Sequence, residues 1–123
     1  MIELAFGILC AAGLVGLVLA LIYLRGPGVA PPHPAIPAVH GGIGAVSLAV
    51  LLTALDRGRR HHAMGTAGFG RTAAGLLALA LVLGLAIAVA AWRRRRPAGA
   101  LVGAHAGLAI AGLVLLWALI ALG

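Results

Sequence analysis

Four apolar runs, each long enough to cross a bilayer, constrain this chain more than anything else in it. They cover about residues 2–24, 38–55, 72–92 and 98–121. A transmembrane helix needs ~20 mainly apolar residues. In hydrocarbon every backbone N–H and C=O must find its partner within the segment, so such runs fold as helices. Composition agrees. Of the 123 residues, 63% are hydrophobic and 9% charged, and Lys, Asn and Gln are absent. Ordinary soluble domains carry roughly 25% charged residues. A chain this poor in polar surface takes lipid as its outer solvent. Its length suits one compact membrane bundle with no additional soluble domain.

The predicted fold class is therefore an all-α membrane protein: a single domain of four transmembrane helices, alternating up and down. The two halves read as tandem two-helix repeats. Aligning His40 with His105 also matches Gly42 with Gly107, Leu48 with Leu113 and Leu51 with Leu116. Such a repeat would turn about an axis along the membrane normal.

In the first run Glu3 stands where a signal peptide would be basic, and the apolar stretch exceeds a signal's length. Ala12, Gly16 and Ala20 form a small-residue stripe suited to close helix contact. Tyr23 and Arg25 end the run as interfacial anchors. Residues 26–37 hold five prolines and predict a stiff loop containing a solvated His33. The second run ends at Asp56 and Arg57, Arg59 and Arg60. The connection beyond it, with Gly65, Gly68 and Gly70, is expected to be irregular. His61 and His62 lie in it, facing headgroups. The third run carries Gly84 and Ala88 at small-residue spacing and stops at Trp92 and Arg93 to Arg96. Pro97 is expected to open the fourth helix, and Trp117 lies near its far end. Gly103, Gly107 and Ala111 form a stripe opposite His105, open to a neighbouring helix, a membrane-protein partner or a second copy. Cys10 lies within an apolar run and has no second cysteine to pair with.

The net charge of +7 does not indicate nucleic acid. The arginines sit in clusters between apolar runs, without interleaved aromatics to stack on bases. Their balance across the membrane is nearly even. Arg57, Arg59, Arg60 and Arg71 lie on one face, and Arg25 and Arg93 to Arg96 on the other. Four consecutive arginines in a tight turn resist translocation, which places that second face in the cytoplasm and both termini in the periplasm.

The chemistry-bearing residues within the runs are His40 and His105. Each enters its helix from the same membrane side, and His105 lies roughly 10 Å below its helix start. Ionisable residues at that depth are functional by default. The residues four and seven places on are small: Gly44 and Ser47, then Ala109 and Gly112. At helical spacing they share each histidine's face. In an up-down bundle the second and fourth helices are diagonal, roughly 13 Å apart when neighbours are about 9 Å apart. Two inward imidazoles can then share one haem b iron, with Gly44, Ser47, Ala109 and Gly112 leaving room for the macrocycle. Arg25 and Arg93 to Arg96 would be available to its propionates. Two other readings use the same residues: a quinone or lipid site on either histidine, and a structural role in which the imidazoles bond to carbonyls and the small residues serve tight packing.

The two stretches VHGGIGAVSLAVLL and AHAGLAIAGLVLL, each after a loop and a proline, resemble those of small four-helix inner-membrane proteins of bacteria. The resemblance covers most of the chain. It implies a bacterial cytoplasmic membrane location and no particular activity. Haem proteins of the cytochrome b class are similar in using histidines on opposing helices. With His40 and His105 alone inside the runs, one haem would fit that pattern. Small multidrug transporters share the size, but they need an acid deep in the first helix, and Glu3 sits at its edge. No hydrolase set is evident, since Ser47 is two turns from His40. A zinc site would need a further ligand. The sequence therefore predicts a small accessory or electron-transfer component of the membrane, with a cofactor-free structural subunit as the alternative.

Overall fold

A computed structural model describes residues 1–25, 33–58, 67–93, 95 and 97–122. Four helices carry the chain: α1 (Ile2–Leu24), α2 (Ala35–Gly58), α3 (Ala67–Trp92) and α4 (Gly99–Leu122). All four are long and apolar enough to cross a membrane. The molecule is a multi-pass membrane protein of the all-α bundle class.

The helix boundaries differ from expectation at three starts. Helix α2 begins at Ala35, so Pro37 falls inside its first turn instead of closing the loop. The first turn tolerates proline because its N–H groups have no intrahelical acceptor to lose. His33 helps to start this helix. Its Nδ1 accepts the Ala35 N–H at 3.3 Å, and its carbonyl accepts the Ile36 N–H at 2.9 Å. Helix α3 starts at Ala67 and takes in Gly68 and Gly70, both expected in the irregular connection. Gly70 is there for close approach: a Cβ on it would stand 2.6 Å from Leu55 Cδ2 and 3.2 Å from Leu119 Cδ2. Tertiary packing thus overrides glycine's weak helix propensity. Helix α4 starts at Gly99, two residues after Pro97, and the Ala98 carbonyl receives the N–H groups of Leu101 and Val102.

Each helix packs on its neighbours in sequence, and α1 closes the ring against α4. Among the described residues the backbones of α1 and α3 do not pack side by side, nor do those of α2 and α4, which touch across the axis through side chains. The cross-section is therefore a square with α2 and α4 on one diagonal. The apolar core lies in the half nearest the N-terminus of α1. It comprises Ala5, Leu9, Leu51, Ala73, Ala74, Leu77, Leu116 and Leu119. Small side chains on α1 and α3 let leucines from α2 and α4 reach the bundle axis, as Leu51 and Leu116 do, both fully buried. Large apolar residues such as Leu14, Val82, Leu85 and Ile110 face outward, where lipid would cover them.

Candidate functional site

The other half of the bundle is organised by the two histidines. The earlier start of α2 and later start of α4 bring them to matching depth. His40 lies five residues into its helix and His105 six, so each sits about 8–9 Å below its helix end. From opposite corners of the square their rings converge on the axis, with centroids 6.1 Å apart and planes at 79°.

Neither imidazole hangs free. His40 Nδ1 lies 3.0 Å from the Ala12 carbonyl oxygen on α1. His105 Nδ1 lies 2.7 Å from the Ala80 carbonyl oxygen on α3. A carbonyl can only accept, so Nδ1 carries the proton in both rings, and in the neutral imidazole Nε2 carries the lone pair. The tautomer follows from the partner.

These bonds depend on a glycine four residues further along each accepting helix. A helical side chain covers the turn on the N-terminal side of its own Cα. A side chain at position 16 would therefore screen the carbonyl at 12. A Cβ built on Gly16 would stand 2.8 Å from His40 Cε1, and one on Gly84 3.0 Å from His105 Cε1. Both helices thus present the same notch, Ala-x-x-x-Gly, and both receive a histidine from the following helix. The two halves repeat as side-chain contacts what their sequences repeat weakly.

The small residues below the histidines divide into two levels. Gly44 and Ala109, one turn down, are half-buried, and the nearest atom to a Cβ on Gly44 would be Leu81 Cδ1, at 4.0 Å. Two turns down the space is filled. Leu77 packs on Gly112, where a Cβ would meet Leu77 Cγ at 2.8 Å. Ser47 is fully buried, and its hydroxyl donates to the Ile43 carbonyl of its own helix at 2.8 Å. Ser47 and Gly112 therefore serve helix packing, while Gly44 and Ala109 remain beside the pair.

Arg25, Arg93 and Arg95 are exposed at this same end, and Trp92 beside them is 87% exposed. His61, His62, Arg59, Arg60, Arg94 and Arg96 lie outside the described residues. The sequence signal for the notches was present in Ala12, Gly16 and Gly84, which read as stripes for helix contact. What it lacked was any link from those glycines to the histidines, because the contact spans two helices. No family model, curated protein or solved structure matches the chain.

Proposed function

We propose that this protein is a haem b carrier in a bacterial cytoplasmic membrane, with His40 and His105 as the residues that would hold the iron. One observation carries the reading: two imidazoles on diagonal helices, 6.1 Å apart, each with Nδ1–H committed to a backbone carbonyl. Imidazoles sharing one metal, with metal–nitrogen distances of about 2.0–2.1 Å, stand roughly 5–6.5 Å apart between ring centres. A histidine that ligates a metal usually donates its other N–H to a carbonyl or carboxylate, which fixes the ring and raises its basicity. The donor types, two imidazoles with Nε2 unprotonated, are those a bis-histidine iron porphyrin uses, and the half-buried Gly44/Ala109 level lies next to them. When bound, that group supplies a one-electron couple, which makes the protein an electron-transfer component.

The chain's own residues have separable tasks. His40 and His105 hold the metal, and the Ala12 and Ala80 carbonyls hold the histidines. The four apolar helices keep water from the pair, and Arg25, Arg93 and Arg95 offer cations for carboxylates at the membrane surface.

A second reading rests on a specific observation. The glycine notches and the Leu77–Gly112 contact complete the packing around the histidines with protein atoms alone. In that reading the imidazoles are keystones joining α2 to α1 and α4 to α3. Absorption spectroscopy separates the two. Protein purified from haem-supplemented cells should show a Soret band and a low-spin b-type spectrum. His40→Ala and His105→Ala should each abolish the low-spin signature, and His33→Ala should leave it intact. A colourless protein whose histidine variants merely lose thermal stability would establish the keystone role instead.

A further inference from the structure

We infer that the end of the bundle carrying Arg25, Arg93 and Arg95 is a binding surface for anionic phospholipid, gripped by its headgroup phosphate. This surface is separate from the histidines and stands whether or not they hold a metal. Helices α1 and α3 run the same way, so their C-termini share one membrane face, at opposite corners of the square. Each of these ends is closed by arginine. The Arg25 N–H donates to the Leu21 carbonyl at 3.1 Å, the Arg93 N–H to that of Val89 at 3.0 Å and the Arg95 N–H to that of Ala90 at 2.9 Å. The arginine backbones thus belong to the helix ends, and all three side chains are exposed.

Charge, depth and donor geometry decide what these side chains meet. The chain's two acids, Glu3 and Asp56, both lie at the other end of the bundle, about 30 Å away along the helices. Charges in physiological salt are screened over about 8 Å, so neither acid offsets the arginines. Their counter-charge comes from outside the chain. Depth follows from the aromatics. Trp92, next to Arg93, is 87% exposed, and Tyr23 stands just inside Arg25. Such rings settle at the headgroup level of a bilayer, which sets the arginines beside lipid phosphates. A guanidinium presents a planar fork of donors that matches a phosphate bidentately. A zwitterionic lipid brings its own cation next to that phosphate, and an anionic lipid does not. Each arginine near an anionic surface strengthens the attraction about fivefold.

The chain carries its own probes: Trp92 at this end, and Trp117, 60% exposed, towards the other. Trp117→Phe leaves the first alone and Trp92→Phe the second. Each full-length protein is placed in equimolar phosphatidylglycerol and phosphatidylcholine, with bromine on the acyl chains of one lipid or of the other. Bromine quenches indole fluorescence on contact, so the two samples report which lipid lies beside each ring. Both leaflets hold the same mixture, so the direction of insertion does not matter. Trp92 should be quenched about two- to fivefold more strongly by the brominated phosphatidylglycerol, and Trp117 about equally by both. Changing Arg25, Arg93 and Arg95 together to Gln should lower the Trp92 ratio towards that of Trp117. Equal quenching at Trp92 overturns the inference and leaves the arginines to an acidic segment of another protein. An equal preference at Trp117 also overturns it, because the net charge of +7 would then act on the whole molecule. So does a Trp92 ratio that the three Gln substitutions leave unchanged. The two single-tryptophan proteins decide even if the Gln variant does not fold.

Discussion

At the scale of single residues, glycine positions in this bundle differ in what they hold apart. At Gly112 the neighbours are the branched Cγ of Leu77 at 2.8 Å and the Ala73 backbone oxygen at 3.3 Å, neither of which moves easily. Gly112→Ala should therefore destabilise the bundle by about 1–3 kcal/mol, the usual range for overpacking. Equilibrium unfolding in mixed micelles would measure it. Adding Leu77→Ala should recover part of that loss, so the double variant should be non-additive. Gly70→Ala should cost less, because the nearest atom there is the tip of the Leu55 side chain. Ser47 gives the opposite expectation. Its buried hydroxyl bonds to its own helix at Ile43, so Ser47→Ala takes donor and need away together. The change in stability should stay within about 1 kcal/mol, and any haem spectrum should be unchanged. Position seven after each histidine was legible as small in the sequence. Whether smallness leaves a space or receives a leucine is decided by a different helix.

At the scale of elements, the apolar runs located all four helices; α1 kept both its ends and α3 its last residue, and the other five ends moved by one to five residues. The moves matter because depth is counted from the helix start. With α2 beginning after Pro37 and α4 at Pro97, the histidines would stand at different levels. The actual starts at Ala35 and Gly99 level them. Proline was the misleading signal, since it breaks a helix interior but is accommodated in a first turn. His33 contributes to that start through an exposed contact with the Ala35 N–H. His33→Ala should therefore fray the first turn at a cost below about 1 kcal/mol. Faster hydrogen exchange at the Ala35 amide, with the α2 centre unaffected, is the expected readout.

At the scale of the whole molecule, two surfaces remain to be assigned. Gly103, Gly107 and Ala111 are exposed along α4, and nothing in the chain lies within 4 Å of a Cβ on Gly103 or Gly107. Gly107→Leu should thus leave the unfolding transition of a single bundle where it is. A smaller particle by light scattering in detergent would then mark this face as a contact between chains, as small-residue stripes often are. An unchanged particle would mark it as lipid-facing. Topology is the second matter. We expect the Arg25 and Arg93 end in the cytoplasm, so cysteines introduced at Phe69 or Gly68 should react with impermeant reagents in intact cells. Protection until the membrane is permeabilised would invert the molecule.

Read alone, the sequence determined the solvent, the number of spans and the two histidines within the spans. Each of these follows from a short-range property: apolar length against bilayer thickness, and the cost of a polar group in hydrocarbon. The tertiary structure decided which backbone carbonyls the histidines bond, that Gly16 and Gly84 admit them, and that Leu77 closes the space at Gly112. Those are contacts between helices. In a chain so rich in Leu, Ala and Gly, many pairings satisfy the same helical periodicity, and only the packed bundle selects one.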